Sequence, residues 1–106
     1  MNNKLIGLLG IARRAGHILI GFDAVRAALL ADKARLVLLA ADCSEKTEKE
    51  LRFAAQGKNC PLIAVTADKA ALSAALGLQK PVAVVATDDS GFANAMFTHT
   101  KEDVAL

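Results

Sequence analysis

The chain has 106 residues, of which 54% are hydrophobic, and it carries a formal net charge of +2. This length suits a single domain with a buried core, and so apolar a composition excludes a disordered chain. No apolar run approaches the roughly 20 residues of a membrane-spanning helix. The arginines of the N-terminal segment follow its apolar residues, whereas a signal peptide carries its charge first. We therefore expect one cytoplasmic domain over residues 1–106 that does not associate with membranes.

The N-terminal part of the chain predicts a helix, a strand and a second helix. Asn3 is a candidate N-cap for a first helix whose apolar residues recur at helical spacing, and Gly16 follows its end. HILI, residues 17–20, predicts a short strand. Gly21 then begins a turn into a helix over residues 22–31.

The middle of the chain continues the alternation. RLVLLAA, residues 35–41, is apolar without a polar face, which is typical of a central strand that is covered on both sides. Ser44 is a candidate N-cap for the following helix, and Gly57 ends it. PLIAV, residues 61–65, predicts another strand, after which Asp68 caps a short helix.

The last elements complete an α/β pattern. PVAVVAT, residues 81–87, predicts a buried strand, Asp89 or Ser90 begins a last helix, and residues 98–106 form a polar, frayed tail. The alternation predicts a three-layer α/β/α sandwich around a four-stranded mixed sheet. The first strand is short and follows a helix, which favours an antiparallel orientation relative to the other three.

The sequence lacks the residue patterns of an enzyme or a metal site. Neither GxxxxGK[ST] nor GxGxxG occurs, and Cys43 and Cys60 belong to no CxxC motif or Cys/His cluster, which argues against zinc. Asp88 and Asp89 are explained by helix capping and turn chemistry. Cys43 precedes a helix start but has no assignable base. We therefore expect no enzyme activity, no cofactor, no metal and no small-molecule substrate, and two reduced cysteines.

Positive charge is concentrated in the first third of the chain. Residues 1–35 carry six basic and two acidic side chains, whereas residues 36–106 carry seven basic and nine acidic ones. This asymmetry has two explanations, an anionic partner or a solvated basic face. Tryptophan and tyrosine are absent, which argues against a stacking platform for single-stranded nucleic acid. Any RNA recognition would then depend on backbone amides, short polar side chains and arginines at a helix terminus.

Four segments resemble one family of proteins. LLGIARRAG, IGFDAVRAAL, ARLVLLAADCSEKT and TDDSGFA are similar, in this order, to the YlxQ-like bacterial branch of the kink-turn RNA-binding ribosomal proteins, which include L7Ae and L30e. The resemblance covers roughly residues 4–97. It implies an L30e-like sandwich whose partner is structured RNA, of the kink-turn or ribosomal kind, bound at the start of the second helix.

The resemblance also implies which residues contact RNA. In the family, a glycine and the polar residues after it read sheared G·A pairs, and a second loop covers flipped-out bases. On this chain the first element is Gly21, Phe22 and Asp23, with Arg26 as the nearest cation, and the second is Val65, Thr66, Ala67 and Lys69. We expect the two elements to lie side by side as one continuous surface.

Two points stay open at this stage. Arg13 and Arg14 are either cations favoured by the dipole at the end of the first helix or flanking contacts of the RNA surface. Ala24 and Ala27 stand where the family has a polar residue and a lysine, so the alternative to RNA binding is a protein-interaction module of the same fold.

Overall fold

The computed structural model describes residues 1–101, which form five helices and four strands. In chain order these are α1 (Asn3–Arg14), β1 (Ile18–Ile20), α2 (Phe22–Leu30), β2 (Leu36–Leu39), α3 (Glu45–Ala54), β3 (Leu62–Ala64), α4 (Lys69–Ala75), β4 (Val84–Thr87) and α5 (Ser90–Thr100). Every predicted element is present, in the predicted order. None of these helices is both long and apolar enough to cross a bilayer.

The strand order in the sheet is β1-β4-β2-β3. β2 pairs with β3 in parallel, and β4 pairs antiparallel with both β2 and β1. The predicted orientation of the first strand is therefore wrong, because β1 runs in the same direction as β2 and β3 and β4 is the reversed strand. The chain after α4 folds back before β4 begins, and Ala40 N donates to Ala83 O at 2.8 Å, so β4 starts where β2 ends.

The sheet is covered by helices on both faces, which confirms the three-layer sandwich. All four residues of β2 are buried. Leu36 and Leu38 belong to the core with α1, α4 and α5, whereas Val37 and Leu39 belong to the core with α2 and α3. This arrangement explains the absence of a polar face in β2, since burying each such side chain contributes about 1.5–3 kcal/mol.

Four of the five helices in the described residues begin with a side chain that caps them. The capping side chains each accept a hydrogen bond from the main-chain amide three residues later: Asn2 from Leu5, Ser44 from Thr47, Asp68 from Ala71 and Asp89 from Phe92. The caps Ser44, Asp68 and Asp89 are as predicted, whereas α1 is capped by Asn2 rather than by Asn3. α2 follows Gly21 and has no side-chain cap.

The last helix is longer than predicted. α5 continues to Thr100, so residues 98–100 are helical rather than part of a frayed tail, and residues 102–106 lie outside the described residues. Two contacts account for the extension. The buried Thr100 donates from Oγ1 to Phe97 O at 2.7 Å, and Asn2 Nδ2 donates to His99 O at 2.9 Å, which connects the end of α5 to the start of α1.

Candidate functional site

The turn from β1 into α2 depends on a glycine conformation. Gly21 has φ +92° and ψ 166°, a region that essentially only glycine adopts. Its N–H donates to Val84 O at 3.0 Å, and its carbonyl accepts from Val25 N at 3.1 Å. Because Gly21 has no side chain, the first amides of α2 receive no side-chain cap and are directed out of the helix start, where the helix dipole favours an anion.

Two exposed charged side chains follow on the first turns of α2. Asp23 and Arg26 are exposed and form no hydrogen bond or ion pair with another residue in the described part of the chain. Phe22 is half-buried and packs against the core between α2 and α3. The chain therefore presents an acceptor and a guanidinium next to the uncapped amides.

A groove of about 650 Å³ runs between α2 and α3. It is lined by Phe22, Asp23, Arg26 and Ala27 from α2 and by Lys49, Glu50 and Phe53 from α3. The charges in this lining balance, with two cations and two anions. Phe53 is 74% exposed, the largest exposed fraction among the large apolar side chains that are described.

On the other side of Gly21 lies a cleft that was not predicted. The cleft, of about 460 Å³, is lined by Ile20, Gly21 and the segment Leu78–Val82. Lys80 is the only charged residue in that lining. Gly77 indicated a turn before the segment, and Pro81 and Val82 were predicted to begin a strand that starts only at Val84. Nothing local in the sequence pointed to a position beside Gly21.

Ser73 holds this segment in place. Its side chain is buried, with 3% exposed, and its hydroxyl lies within hydrogen-bonding distance of both Leu78 O and Lys80 O. The single hydroxyl proton of Ser73 can thus be donated to either of two main-chain carbonyls in the segment that lies beside Gly21.

The predicted second element does not form one surface with Gly21. Val65 and Ala67 are buried in the core and are therefore unavailable to a partner. Thr66 Oγ1 accepts from the Met1 amino nitrogen at 2.7 Å, and Lys69 N donates to Asp42 Oδ1 at 2.8 Å.

Sheet order explains this error. β1 and β3 are the two edge strands, with β4 and β2 between them. The segment after β3 therefore lies three strand spacings, about 14 Å, from the end of β1. The segment Leu78–Val82 lies between the two, since Val82 also donates to Lys69 O at 3.4 Å.

Arg13 and Arg14 lie at the opposite end of the sheet, where β1 begins. Gly21 follows the end of β1, so the length of that strand separates Gly21 from the two arginines. This length is about 10 Å, at ~3.3 Å per residue. Arg13 Nη1 donates to Leu76 O, the carbonyl of the residue that follows the end of α4. Arg13 therefore has a structural role: it lies in the last turn of α1, and its guanidinium also binds a carbonyl at the end of α4.

Within residues 1–101, no three histidine, cysteine, aspartate or glutamate side chains lie close enough together to hold a metal ion. Asp89 caps α5. His17 Nδ1 lies 2.9 Å from Asp88 Oδ1. The sequence did not predict this contact, because the two residues are 71 positions apart. Cys43 and Cys60 are free thiols. Burial raises the pKa of both, that of Cys60 to about 11, so both thiols are protonated at neutral pH, the reverse of an activated nucleophile.

Comparison with known proteins places the chain among relatives of similar length. The model of the ribosomal protein L7Ae/L30e/S12e/Gadd45 family matches residues 3–97. The RNA-binding protein YlxQ of Bacillus subtilis is 35% identical over 91 residues, which cover 86% of this chain and 89% of that protein. The RNA-binding protein YlxQ of Enterococcus faecium is 31% identical over 90 residues, which cover 85% and 84%.

Two solved structures are similar in fold. A protein of unknown function from Bacillus halodurans has a TM-score of 0.86 and 28% identity, with 94% of this chain and 99% of that chain covered. The Giardia lamblia 15.5kD RNA binding protein has a TM-score of 0.74 and 22% identity, with 98% and 93% covered. At this lower identity the likeness concerns the fold.

Proposed function

Since the chain belongs to the ribosomal protein L7Ae/L30e/S12e/Gadd45 family, we propose that it is a non-enzymatic protein that binds structured RNA, of the kink-turn or ribosomal kind. The observation that carries this proposal is the start of α2, the one helix in residues 1–101 that begins without a side-chain cap. The names of the two bacterial relatives support RNA as the ligand. A cytoplasmic location agrees with this function.

The proposed contacts use three kinds of group around Gly21. The first amides of α2 donate to a phosphate or a base edge. Asp23 accepts from guanine N–H groups, and Arg26 and Lys80 approach from either side of the turn, where they reach phosphates. Leu78 and Pro81 give the cleft an apolar wall, which suits an unpaired base.

A gel-shift titration tests this proposal directly. The probes are a standard kink-turn RNA and a variant of it in which the G·A pairs are replaced, both at one stated salt concentration. We expect the protein to bind the first RNA more tightly than the second. Equal binding would contradict kink-turn recognition, and no binding to either RNA at low salt would contradict RNA binding at the start of α2.

We expect Arg26→Ala to weaken RNA binding by about tenfold, because a hydrogen bond to a charged group contributes about 1.5 kcal/mol or more and 1.4 kcal/mol is tenfold. Loss of one phosphate contact also flattens the log–log salt dependence by about one unit. The melting temperature stays nearly unchanged because Arg26 is exposed. Arg35→Ala, which removes the same charge at the far end of the sheet, is the control. Equal effects of the two variants would place the contact elsewhere.

One observation favours the alternative of a protein-interaction module. Phe53 is 74% exposed in a groove whose charges balance, a lining that suits a protein segment better than a phosphate backbone. If RNA contacts the α2 side of this groove, at Asp23 and Arg26, but not its α3 side, Phe53→Ser leaves RNA affinity unchanged and changes the free energy of unfolding by no more than about 0.5 kcal/mol. A loss of RNA affinity in Phe53→Ser would show that RNA occupies the groove.

A further inference from the structure

A second groove lies between the ends of α1 and α4, away from the start of α2. Its volume is about 580 Å³, and it is lined by Gly10, Arg13, Arg14, Ala74, Ala75, Leu76 and Gly77. Its only charged residues are the two arginines. The surrounding part of the chain has the same sign, because no acidic residue precedes Asp23. The groove therefore has a positive potential that no carboxylate in its lining neutralises.

The two guanidinium groups lie close to glycine backbone. A Cβ on Gly77 would lie 3.3 Å from Arg13 Nη1, and a Cβ on Gly10 would lie 3.5 Å from Arg14 Nη1. Arg13 is also held by its hydrogen bond to Leu76 O. A guanidinium has five N–H donors in a fixed plane, so Arg13 is held in position and still has donors for a ligand.

Arg14 differs from Arg13 in having no partner among the described residues. It forms no hydrogen bond or ion pair within residues 1–101 and is exposed. The dipole of α1 favours a cation at this position, but it leaves all five donors of Arg14 unused. Small side chains form the rest of the groove wall, so a bulky ligand backbone can approach both guanidinium groups.

We propose that this groove binds phosphate groups of the same RNA, at the other end of β1 from its contact with α2. Planar guanidinium groups match phosphate oxygens in pairs, and the groove has no aromatic or carboxylate group that would bind a base edge or a cationic peptide. The proposal rests on the proposed function, since the groove adds a second contact to the RNA that the start of α2 recognises.

The separation of the two contacts defines the RNA that can reach both. The two contacts lie at opposite ends of β1, which is about 10 Å long. Each base pair advances the phosphates of a duplex by a few ångströms along its axis, so a few base pairs of stem beyond the α2 contact cover this distance. A short RNA that covers only the start of α2 does not reach Arg14.

The test compares a minimal kink-turn RNA with two longer forms, in each of which one of its two stems is extended by about ten base pairs. We expect one extended RNA to bind more tightly than the minimal RNA, with a steeper salt dependence. Arg14→Ala lowers the affinity for that RNA by about fivefold and its log–log slope by about one unit, and it leaves binding of the minimal RNA unchanged.

Two further variants support the interpretation. Arg14→Glu has a larger effect in the same direction, and Arg35→Ala, which removes an arginine outside the groove, affects the minimal and extended RNAs equally. Arg13→Ala is less informative because it also removes the hydrogen bond to Leu76 O. Arg13→Lys, which keeps the positive charge, is measured beside it to separate the loss of charge from a loss of stability.

The outcomes separate this inference from the proposed function. Unchanged binding of both extended RNAs by Arg14→Ala would overturn the inference alone and leave an acidic protein segment as the occupant. Failure of the parent protein to bind the minimal RNA, with extended RNA still bound through Arg14, would instead overturn the proposed site at α2. Failure to bind any of the RNAs would overturn both.

Discussion

Gly21→Ala is expected to lower both the stability of the protein and its affinity for RNA. Gly21 has φ +92° and ψ 166°, and a residue with a Cβ in this region costs about 1–3 kcal/mol. In a domain of this size each kcal/mol lowers the melting temperature by about 4–8 °C. No atom lies within 4 Å of the added Cβ, so the cost is backbone strain rather than a clash.

The same strain is expected to move the start of α2. Gly21 N–H donates to Val84 O, and relaxation of the backbone toward negative φ changes the direction of this N–H and of the amides after it. Because the proposed RNA contacts include those amides, RNA affinity falls by more than the roughly tenfold expected for Arg26→Ala. Thermal unfolding and gel-shift titration measure the two effects separately.

Gly57→Ala is the matched control. Gly57 also has positive φ, +74°, and lies after α3, near the end of the sheet where β3 begins. We expect Gly57→Ala to lower the melting temperature, since a left-handed alanine costs about 1–2 kcal/mol, but to leave RNA affinity unchanged below the melting transition. Equal losses of affinity in both variants would mean that the turn at Gly21 has no specific part in binding.

The second large effect is expected for Ser73→Ala. The Ser73 hydroxyl is buried and lies within hydrogen-bonding distance of Leu78 O and Lys80 O, and loss of such a hydrogen bond costs about 0.5–1.5 kcal/mol. The segment Leu78–Val82 is then held less firmly against the Gly21 cleft. We expect a lower free energy of unfolding, faster amide hydrogen exchange across Leu78–Val82 and weaker binding of kink-turn RNA.

Ser90→Ala provides the comparison for Ser73→Ala. Ser90 is also a helical serine, but it is exposed at the start of α5, so its loss changes stability by no more than about 0.5 kcal/mol. If Ser73→Ala accelerates exchange in Leu78–Val82 while RNA affinity stays at the parent value, the cleft beside Gly21 is not part of the RNA site. If exchange is unchanged, the hydroxyl does not hold the segment.

The sequence by itself determined the kind and order of the secondary structure. LVLL of residues 36–39 has no polar face because β2 is covered by helices on both sides. Ser44, Asp68 and Asp89 mark helix starts because their side chains reach the amide three residues away. These signals are local, since each depends on residues within one turn of helix or one strand. The family resemblance, which the family model and the two bacterial relatives confirm, used the same local segments.

Only the tertiary structure decided which of these elements are neighbours. The reversed direction of β4 and the position of Leu78–Val82 beside Gly21 depend on contacts between residues far apart in the chain. No periodicity in residues 76–83 indicates that this segment folds back along α4. The burial of Val65 and Ala67 likewise depends on the core that α1, α4 and α5 form on one face of the sheet. Strand order is set by how the helices cover both faces of the sheet together, a property of the whole core that no single segment carries.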